Sequence, residues 1–316
     1  MQRPLLIGTR GSRLALAQAH LLRMALASAN GWTRDELETT TKVVIIKTSG
    51  ETISSQSTAR AKGLFTKELE ESLLRGEIDV AIHSVKDLLA IMPNGLTLAA
   101  TLPREDPRDV FVARAGGTLS DLALGARLGT SAPRRRAQVL RLRPDLEIVG
   151  LRGNVETRLR KLESGECDAT FLAHAGLKRL GLLDLDCEIM NPSVMLPPAG
   201  QGAIGLQVRE DARVTIELLR TVNHQETETE IVCERAFLAE VEGSCRTPLA
   251  ALCTLSDEGL GMLRGEVLLP DGKDHVTVER QADLEAGDLE GAAELGRATA
   301  RALRDRAGHV YFSPSP

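Results

Sequence analysis

Two α/β blocks followed by a small α+β segment are what the sequence predicts, and three observations predict it. Short β-branched runs alternate with helical periods over the first two thirds of the chain. Glycine and proline punctuate the junctions between them. The last third changes character, with alternating strand patterns set between two helical stretches.

Taken in order, Leu5-Leu6-Ile7 reads as a strand, and a helix follows from about Ser12. Val43-Val44-Ile45-Ile46 is the next strand. A helix from about Thr66 places Leu69, Leu73 and Leu74 on one face, with Gly76 where a carboxyl-terminal cap belongs. Asp79-Val80-Ala81-Ile82 then completes a strand, helix and strand unit, which crosses over right-handed in a largely parallel sheet. The second block opens near Arg104-Glu105-Asp106-Pro107 with Val110-Phe111-Val112 as a strand. It continues through Leu146-Glu147-Ile148-Val149 and Ala169-Thr170-Phe171-Leu172 to Leu196-Pro197-Pro198. After Gly200-Gln201-Gly202, the run Ala203-Ile204-Gly205-Leu206-Gln207-Val208 is expected to return to the first sheet, so that two crossover strands form a hinge. A helix from about Gln225 to Glu242 turns Ile231, Phe237, Leu238 and Val241 toward a core. Strands around Met262 to Leu268 and His275 to Val278, and a helix through Ala292 to Leu303, complete a separate α+β domain.

Composition narrows the function. Hydrophobic residues make up 42% of the 316, too many for a disordered chain. Aromatic residues are only 2%, which argues against a platform for stacking nucleic-acid bases. The net charge of -5 conceals a division: Arg127 to Lys161 holds ten basic and three acidic residues, whereas His224 to Glu294 holds five basic and seventeen acidic ones. The five cysteines are widely spaced, with no C-x-x-C pair, against both a disulfide framework and a structural zinc site. A reducing compartment is expected. The amino-terminal arginines precede Asp35 as in a transit peptide, but Gln18, His20 and Arg23 interrupt the apolar run, so neither secretion nor membrane insertion is expected.

Candidate chemistry gathers at strand-to-helix junctions. In Gly129-Thr130-Ser131-Ala132-Pro133-Arg134-Arg135-Arg136, Ser131 or Ala132 is the N-cap, Pro133 opens the helix, and three arginines fill its first turn. Cations there oppose the helix dipole unless an anion sits among them. Leu151-Arg152-Gly153-Asn154 repeats the pattern, with Asn154 as cap and Arg158 one turn further. Gly8-Thr9-Arg10-Gly11-Ser12-Arg13 is a third such place. Without a P-loop or dinucleotide fingerprint, nucleotide is disfavoured, and arginine forks suit planar carboxylates. In His83-Ser84-Val85-Lys86-Asp87, read as another strand-to-helix junction, Asp87 is the sole carboxylate. It is a candidate to stabilise a substrate cation or move a proton; pairing with Lys86 or an arginine is the plain alternative. Cys245, in Gly243-Ser244-Cys245-Arg246, lies on a predicted loop and is the cysteine best placed for covalent chemistry. The other four read as core fillers, and no histidine spacing supports a metal.

Several of these segments together resemble the porphobilinogen deaminase family. The resemblance runs through Gly8-Thr9-Arg10-Gly11-Ser12, Lys62-Gly63-Leu64-Phe65-Thr66-Lys67-Glu68-Leu69, His83-Ser84-Val85-Lys86-Asp87 and Arg104-Glu105-Asp106-Pro107-Arg108-Asp109. It continues in Leu151-Arg152-Gly153-Asn154-Val155, Ala175-Gly176-Leu177-Lys178-Arg179-Leu180-Gly181, Gly200-Gln201-Gly202 and the Cys245 loop. It implies an α/β fold of two periplasmic-binding-protein-like domains around a cleft plus a small α+β C-terminal domain, divided as 1-102 with 203-220, 103-202 and 221-316. It also implies a dipyrromethane cofactor joined by a thioether to Cys245, with Asp87 as the catalytic residue. Arg10, Arg134, Arg135, Arg152 and Arg158 would hold acetate and propionate groups. Ser12, Lys62, Phe65, Lys86, Ser131, Asn154, Arg179 and Gln201 would complete the cofactor and substrate site. The implied partners are porphobilinogen and the growing polypyrrole, on a cytoplasmic monomer that binds neither nucleic acid nor membrane and holds no metal.

The chain departs from the family pattern at Ser244, at Thr58-Ala59-Arg60-Ala61, at Leu88-Leu89 and at Ala132. Without the resemblance, the alternative reading is an α/β solute-binding or effector domain that captures a carboxylated ligand and does no chemistry.

Overall fold

The structure is a computed structural model that describes residues 3–47, 66–241 and 247–312. Cys245, Lys62, Phe65, Ser244 and the segment 58–61 lie outside the described residues.

The chain begins on β1 (Leu5–Thr9) and enters α1 (Arg13–Asn30). Ser12 caps this helix, its hydroxyl accepting the Ala15 N–H, and Gly31 ends it in the left-handed conformation at φ 66°. Ala15, Ala19, Leu22 and Leu26 form the buried stripe of α1. A short helix, α2 (Arg34–Thr40), is opened by a reciprocal capping box between Thr33 and Glu36. Next come β2 (Thr41–Ile45), α3 (Lys67–Leu74), β3 (Val80–Ser84), a 3₁₀ turn at Val85–Asp87 and β4 (Leu96–Thr101). The chain then runs through β5 (Asp109–Ala113), β6 (Arg127–Gly129), α4 (Pro133–Leu142) and β7 (Glu147–Val149). It continues as α5 (Val155–Glu163), β8 (Ala169–Ala173), α6 (His174–Arg179) and β9 (Glu188–Ile189). β10 (Ile204–Arg209) and α7 (Arg213–Arg220) follow. The remainder is α8 (Gln225–Val241), β11 (Leu249–Leu255), β12 (Leu260–Leu268), β13 (His275–Asp283) and α9 (Leu289–Ala307).

Contacts divide the chain into two compact units, 1–104 with 203–229, and 105–202 with 230–316. The first is built on a sheet of order β2-β1-β3-β10-β4. β1 is parallel to β2 and β3, while β10 is antiparallel to β3 and β4. Its core joins Leu5, Ile7, Leu22, Leu26, Val80, Ile82, Leu206 and Val208. The second unit repeats the plan in the order β7-β6-β8-β5-β9, with β5 antiparallel to β8 and β9. It also holds the antiparallel sheet β11-β12-β13, against which α8 and α9 bury Cys233, Phe237, Leu295, Ala300 and Leu303. The mixed α/β architecture with a small α+β carboxyl-terminal part agrees with the expectation from sequence.

The differences are local. Each α/β sheet is mixed rather than largely parallel, because the returning strand enters antiparallel to its neighbours. Leu196-Pro197-Pro198 is not a strand; a proline pair gives up two ladder donors. After β3 the chain makes only a three-residue 3₁₀ turn, since Asp87 hands over to the extended Leu88 at φ -72°, ψ 149°. Leu88 is 2% exposed and serves as an apolar anchor for that turn.

Candidate active site

In the first unit, the ends of two adjacent parallel strands place the candidate residues. β1 leads to Arg10 and Ser12, and β3 leads through Ser84 to Lys86 and Asp87. Open α/β sheets present their ligand sites at such carboxyl-terminal ends. A small pocket there is lined by Arg10, Gln18, Thr66, His83, Ser84 and Asp87. Arg10 Nη2 lies 3.9 Å from Asp87 Oδ2, with the two side chains 23% and 34% exposed, so both remain accessible to a ligand. The Ser12 hydroxyl caps α1, accepting the Ala15 N–H. Beneath them, Gln18 Nε2 donates to Ser84 Oγ at 2.9 Å, and His83 Nε2 is 2.9 Å from Gln207 Oε1. Gln207 Nε2 reaches Glu70 Oε1 at 3.4 Å, and burial pushes the Glu70 carboxyl above its ordinary range.

The second unit repeats the arrangement at the ends of β6, β7 and β8, which are neighbours in its sheet. The junction after β6 resolves what the sequence left open. Ala132 is the N-cap of α4 and supplies no side-chain bond, while its own N–H donates to Thr130 Oγ1 at 3.2 Å. Ser131 beside it is exposed. Arg136 also points outward, whereas Arg134 and Arg135 turn inward and are only 7% and 6% exposed. The anion that such a helix start requires is Asp109, fully buried at the first position of β5. Arg134 Nη2 donates to its Oδ2 at 2.7 Å and Arg135 Nη2 to its Oδ1 at 2.8 Å. Gln201 Nε2 adds a bond to Oδ1 at 2.9 Å and another to Pro107 O at 2.7 Å. Burial alone would raise the Asp109 carboxyl; the two guanidinium groups outweigh it and hold it far below the usual carboxylate range.

The junction after β7 is more open. Asn154 caps α5, accepting the Thr157 N–H at 2.8 Å, and Gly153 takes φ 123°, a conformation that a side chain rarely tolerates. Arg152 is exposed, and Arg158 Nε donates to Gly153 O at 2.9 Å. After β8, Arg179 in the last turn of α6 donates to Gly202 O at 2.6 Å, and burial lowers it to about 10.

Thus Arg10, Ser12, Lys86 and Asp87 share one sheet edge, and Ser131, Arg134, Arg135, Arg152, Asn154, Arg158 and Arg179 share another, with Gln201 joined to the second through Asp109. Sequence reasoning quoted Asp109 within a motif and assigned it no part. Its signal was a carboxylate at the mouth of the strand Val110-Phe111-Val112, but the pairing spans 25 residues and is invisible to local patterns. Among the described residues, no group of histidine, cysteine and carboxylate side chains is arranged to hold a metal. Cys167, Cys233 and Cys253 are buried and Cys187 is half-buried, all as free thiols.

Residues 5–217 match the family model described as porphobilinogen deaminase, dipyromethane cofactor binding domain, and residues 228–305 match porphobilinogen deaminase, C-terminal domain. The porphobilinogen deaminase of Paracoccus denitrificans is 45% identical over 313 residues, covering 98% of this chain and 97% of that one. That of Nitrobacter winogradskyi is 46% identical over 309 residues, covering 97% and 95%. Among solved structures, the chain is similar to an arginine-specific periplasmic binding protein of Salmonella typhimurium, 16% identical with a TM-score of 0.39 over 70% of this chain and 92% of that one. YhfZ from Shigella flexneri is 17% identical, with a TM-score of 0.37 over 77% and 98%. With both family models and full-length relatives in agreement, the chain belongs to the porphobilinogen deaminase family.

Proposed function

We propose that the chain is a hydroxymethylbilane synthase. It condenses four porphobilinogen molecules head to tail, releasing ammonia at each addition, on a dipyrromethane primer joined by a thioether to Cys245, and it then releases linear hydroxymethylbilane by hydrolysis. The observation that carries this reading is the concentration of arginines, hydroxyls and helix N-termini at the carboxyl-terminal ends of adjacent parallel strands in both α/β sheets. Each pyrrole of substrate and product brings two carboxylates, which arginine forks are built to receive.

The residues present suit a carboxylate-bearing cofactor. Arg135 Nε is buried and has no hydrogen-bond partner among the described residues, a donor that a ligand carboxylate would satisfy. Arg134, Arg135, Ser131, Arg152, Asn154, Arg158 and Arg179 would hold such a group, with Arg10, Ser12 and Lys86 on the other sheet and Lys62 and Phe65 from the segment before α3. When bound, the cofactor supplies an acceptor pyrrole already fixed in place. Asp87 accepts the pyrrole N–H of the arriving unit and stabilises the positive charge that develops on it as ammonia departs. Arg10, 3.9 Å away, restrains the Asp87 carboxylate and brings a positive charge to a substrate carboxylate. Gln201 acts at one remove, tying Asp109 to the segment before β10.

The domains of this reading are 1-102 with 203-220, 103-202 and 221-316. A cytoplasmic location fits the free thiols Cys167, Cys187, Cys233 and Cys253 among the described residues. Among the described residues, no helix is long and apolar enough to cross a membrane. A non-catalytic solute-binding role has no separate observation in its favour. Intact mass spectrometry tests the proposal. The purified protein should exceed its sequence mass by two pyrrole units and Cys245→Ser should lack the increment; an unmodified yet active protein would overturn the covalent primer.

A further inference from the structure

The buried charges of the second unit do not balance around Asp109 alone. Two guanidinium groups, each less than a tenth exposed, share one carboxylate, and guanidinium keeps its proton throughout the range in which proteins fold. A second buried carboxylate stands nearby. Glu266 on β12 is 3% exposed and reaches Arg134 through the side-chain amide of Gln138. Arg134 Nη1 donates to Gln138 Oε1 at 2.9 Å, and Gln138 Nε2 donates to Glu266 Oε2 at 2.6 Å.

The order is therefore cation, amide oxygen, amide nitrogen, anion. Turning the Gln138 amide over would set its NH₂ against the guanidinium and its oxygen against the carboxylate, so the charges at both ends select one orientation. Leu196 O tightens the same frame, accepting from Gln138 Nε2 at 3.1 Å and from Arg134 Nη1 at 2.8 Å. Both Nη1 hydrogens of Arg134 are thus engaged, and the plane of its guanidinium is fixed. The other groups facing Glu266 are more distant from it. Arg141 Nη2 lies 4.0 Å from Oε1, and the Thr277 hydroxyl lies 3.4 Å from the same oxygen.

We propose that Glu266 is a positioning residue which, through Gln138, sets the pose in which Arg134 meets a ligand carboxylate. The inference rests on the reading of Arg134 as a carboxylate-binding residue of the proposed enzyme. It gives the α+β sheet a second task. The part of the chain that follows Cys245 in sequence also orients an arginine on α4, more than a hundred residues earlier, that receives carboxylates.

The test uses the full-length protein carrying Glu266→Gln, Gln138→Leu, or both. Steady-state kinetics with porphobilinogen should show KM raised about fivefold or more in each single variant, with kcat within about twofold and the melting temperature nearly unchanged. The double variant should be no worse than the more impaired single one, since both break one linkage. Effects that multiply independently, or a lowered melting temperature with unchanged KM, would overturn the assignment. Should Glu266→Gln fail to fold, Gln138→Leu decides alone, because it leaves Glu266 with Arg141 and Thr277: a raised KM supports the role and an unchanged KM overturns it. Wild-type protein with neither primer mass nor turnover would overturn the functional reading and this inference with it. Normal wild-type turnover beside an additive cycle overturns only the inference.

Discussion

The two α/β sheets follow one strand order and differ at one matching place. β10 begins at Ile204, opposite Ser84, the last residue of β3. β5 begins at Asp109, opposite Ala173, the last residue of β8. The antiparallel strand of one sheet thus enters on a buried isoleucine, and that of the other on a buried carboxylate. In the first sheet the charged pair Arg10 and Asp87 stays partly exposed at 3.9 Å. In the second, Arg134 and Arg135 are drawn inward to bonds of 2.7 and 2.8 Å. The strand order is shared, and the contrast lies at the first residue of the crossing strand: in the second sheet its carboxylate is the buried partner of Arg134 and Arg135, and in the first sheet an isoleucine offers no such partner.

The largest effect should come from removing that distinction. Asp109→Asn leaves two buried guanidinium groups sharing an uncharged amide, and breaking a buried pair in this way costs about 3–5 kcal/mol. At the matching place in the other sheet, Ile204→Val removes one methylene and costs about 0.5–1.5 kcal/mol. Urea unfolding of the two variants measures the contrast, and equal small losses would break it. The second variant to compare is Asp87→Asn. Its carboxylate is a third exposed, and the role proposed for it is chemistry instead of packing. Turnover of porphobilinogen should fall by about 10²–10³-fold, with stability within about 0.5 kcal/mol of the parent. Near-normal turnover would refute the part given to Asp87.

The same contrast explains how much was legible in advance. The strands Leu5-Leu6-Ile7 and Val110-Phe111-Val112, the Ser12 and Asn154 caps and the helices α1, α5 and α9 follow from local period and cap chemistry, which act within a turn or two. α2 escaped because only Leu37 is buried in it and its polar sequence shows no stripe. β6 escaped because three residues, Arg127-Leu128-Gly129, are too few for a pattern. At the site, the arginines were legible as an unfavourable cluster at a helix start. Their partner was not, because Asp109 and Arg134 meet only after β5, β6 and α4 are assembled. Gln138 and Glu266 are further removed, separated by 128 residues. Sequence reading thus located the positive charges and missed the carboxylates that hold them.

The smallest effect sharpens the comparison most directly, because it reads the buried acids by the sign of their pH dependence. Glu70, 8% exposed, has no ion-pair partner among the described residues; desolvation raises its carboxyl above the ordinary 4.5, and the bonds from Gln207 and Thr66 offset this only in part. Above that value the unfolded chain releases the proton first, so the native state holds more protons and stability falls as pH rises through the raised value. Asp109 has the opposite sign. Its carboxyl is held low by Arg134 and Arg135, so its contribution is present above the ordinary 3.8 and lost as pH falls toward the depressed value. Glu70→Gln should therefore abolish a decline in stability that sets in above about pH 4.5, leaving the variant more stable than the parent at pH 7. It should leave the acid-side loss due to Asp109 unchanged. Urea midpoints measured from pH 3 to 8 on both proteins separate the two slopes. If the variant keeps the parent's decline above pH 4.5, then Glu70 is not its source, and the first sheet tolerates a buried acid as readily as the second.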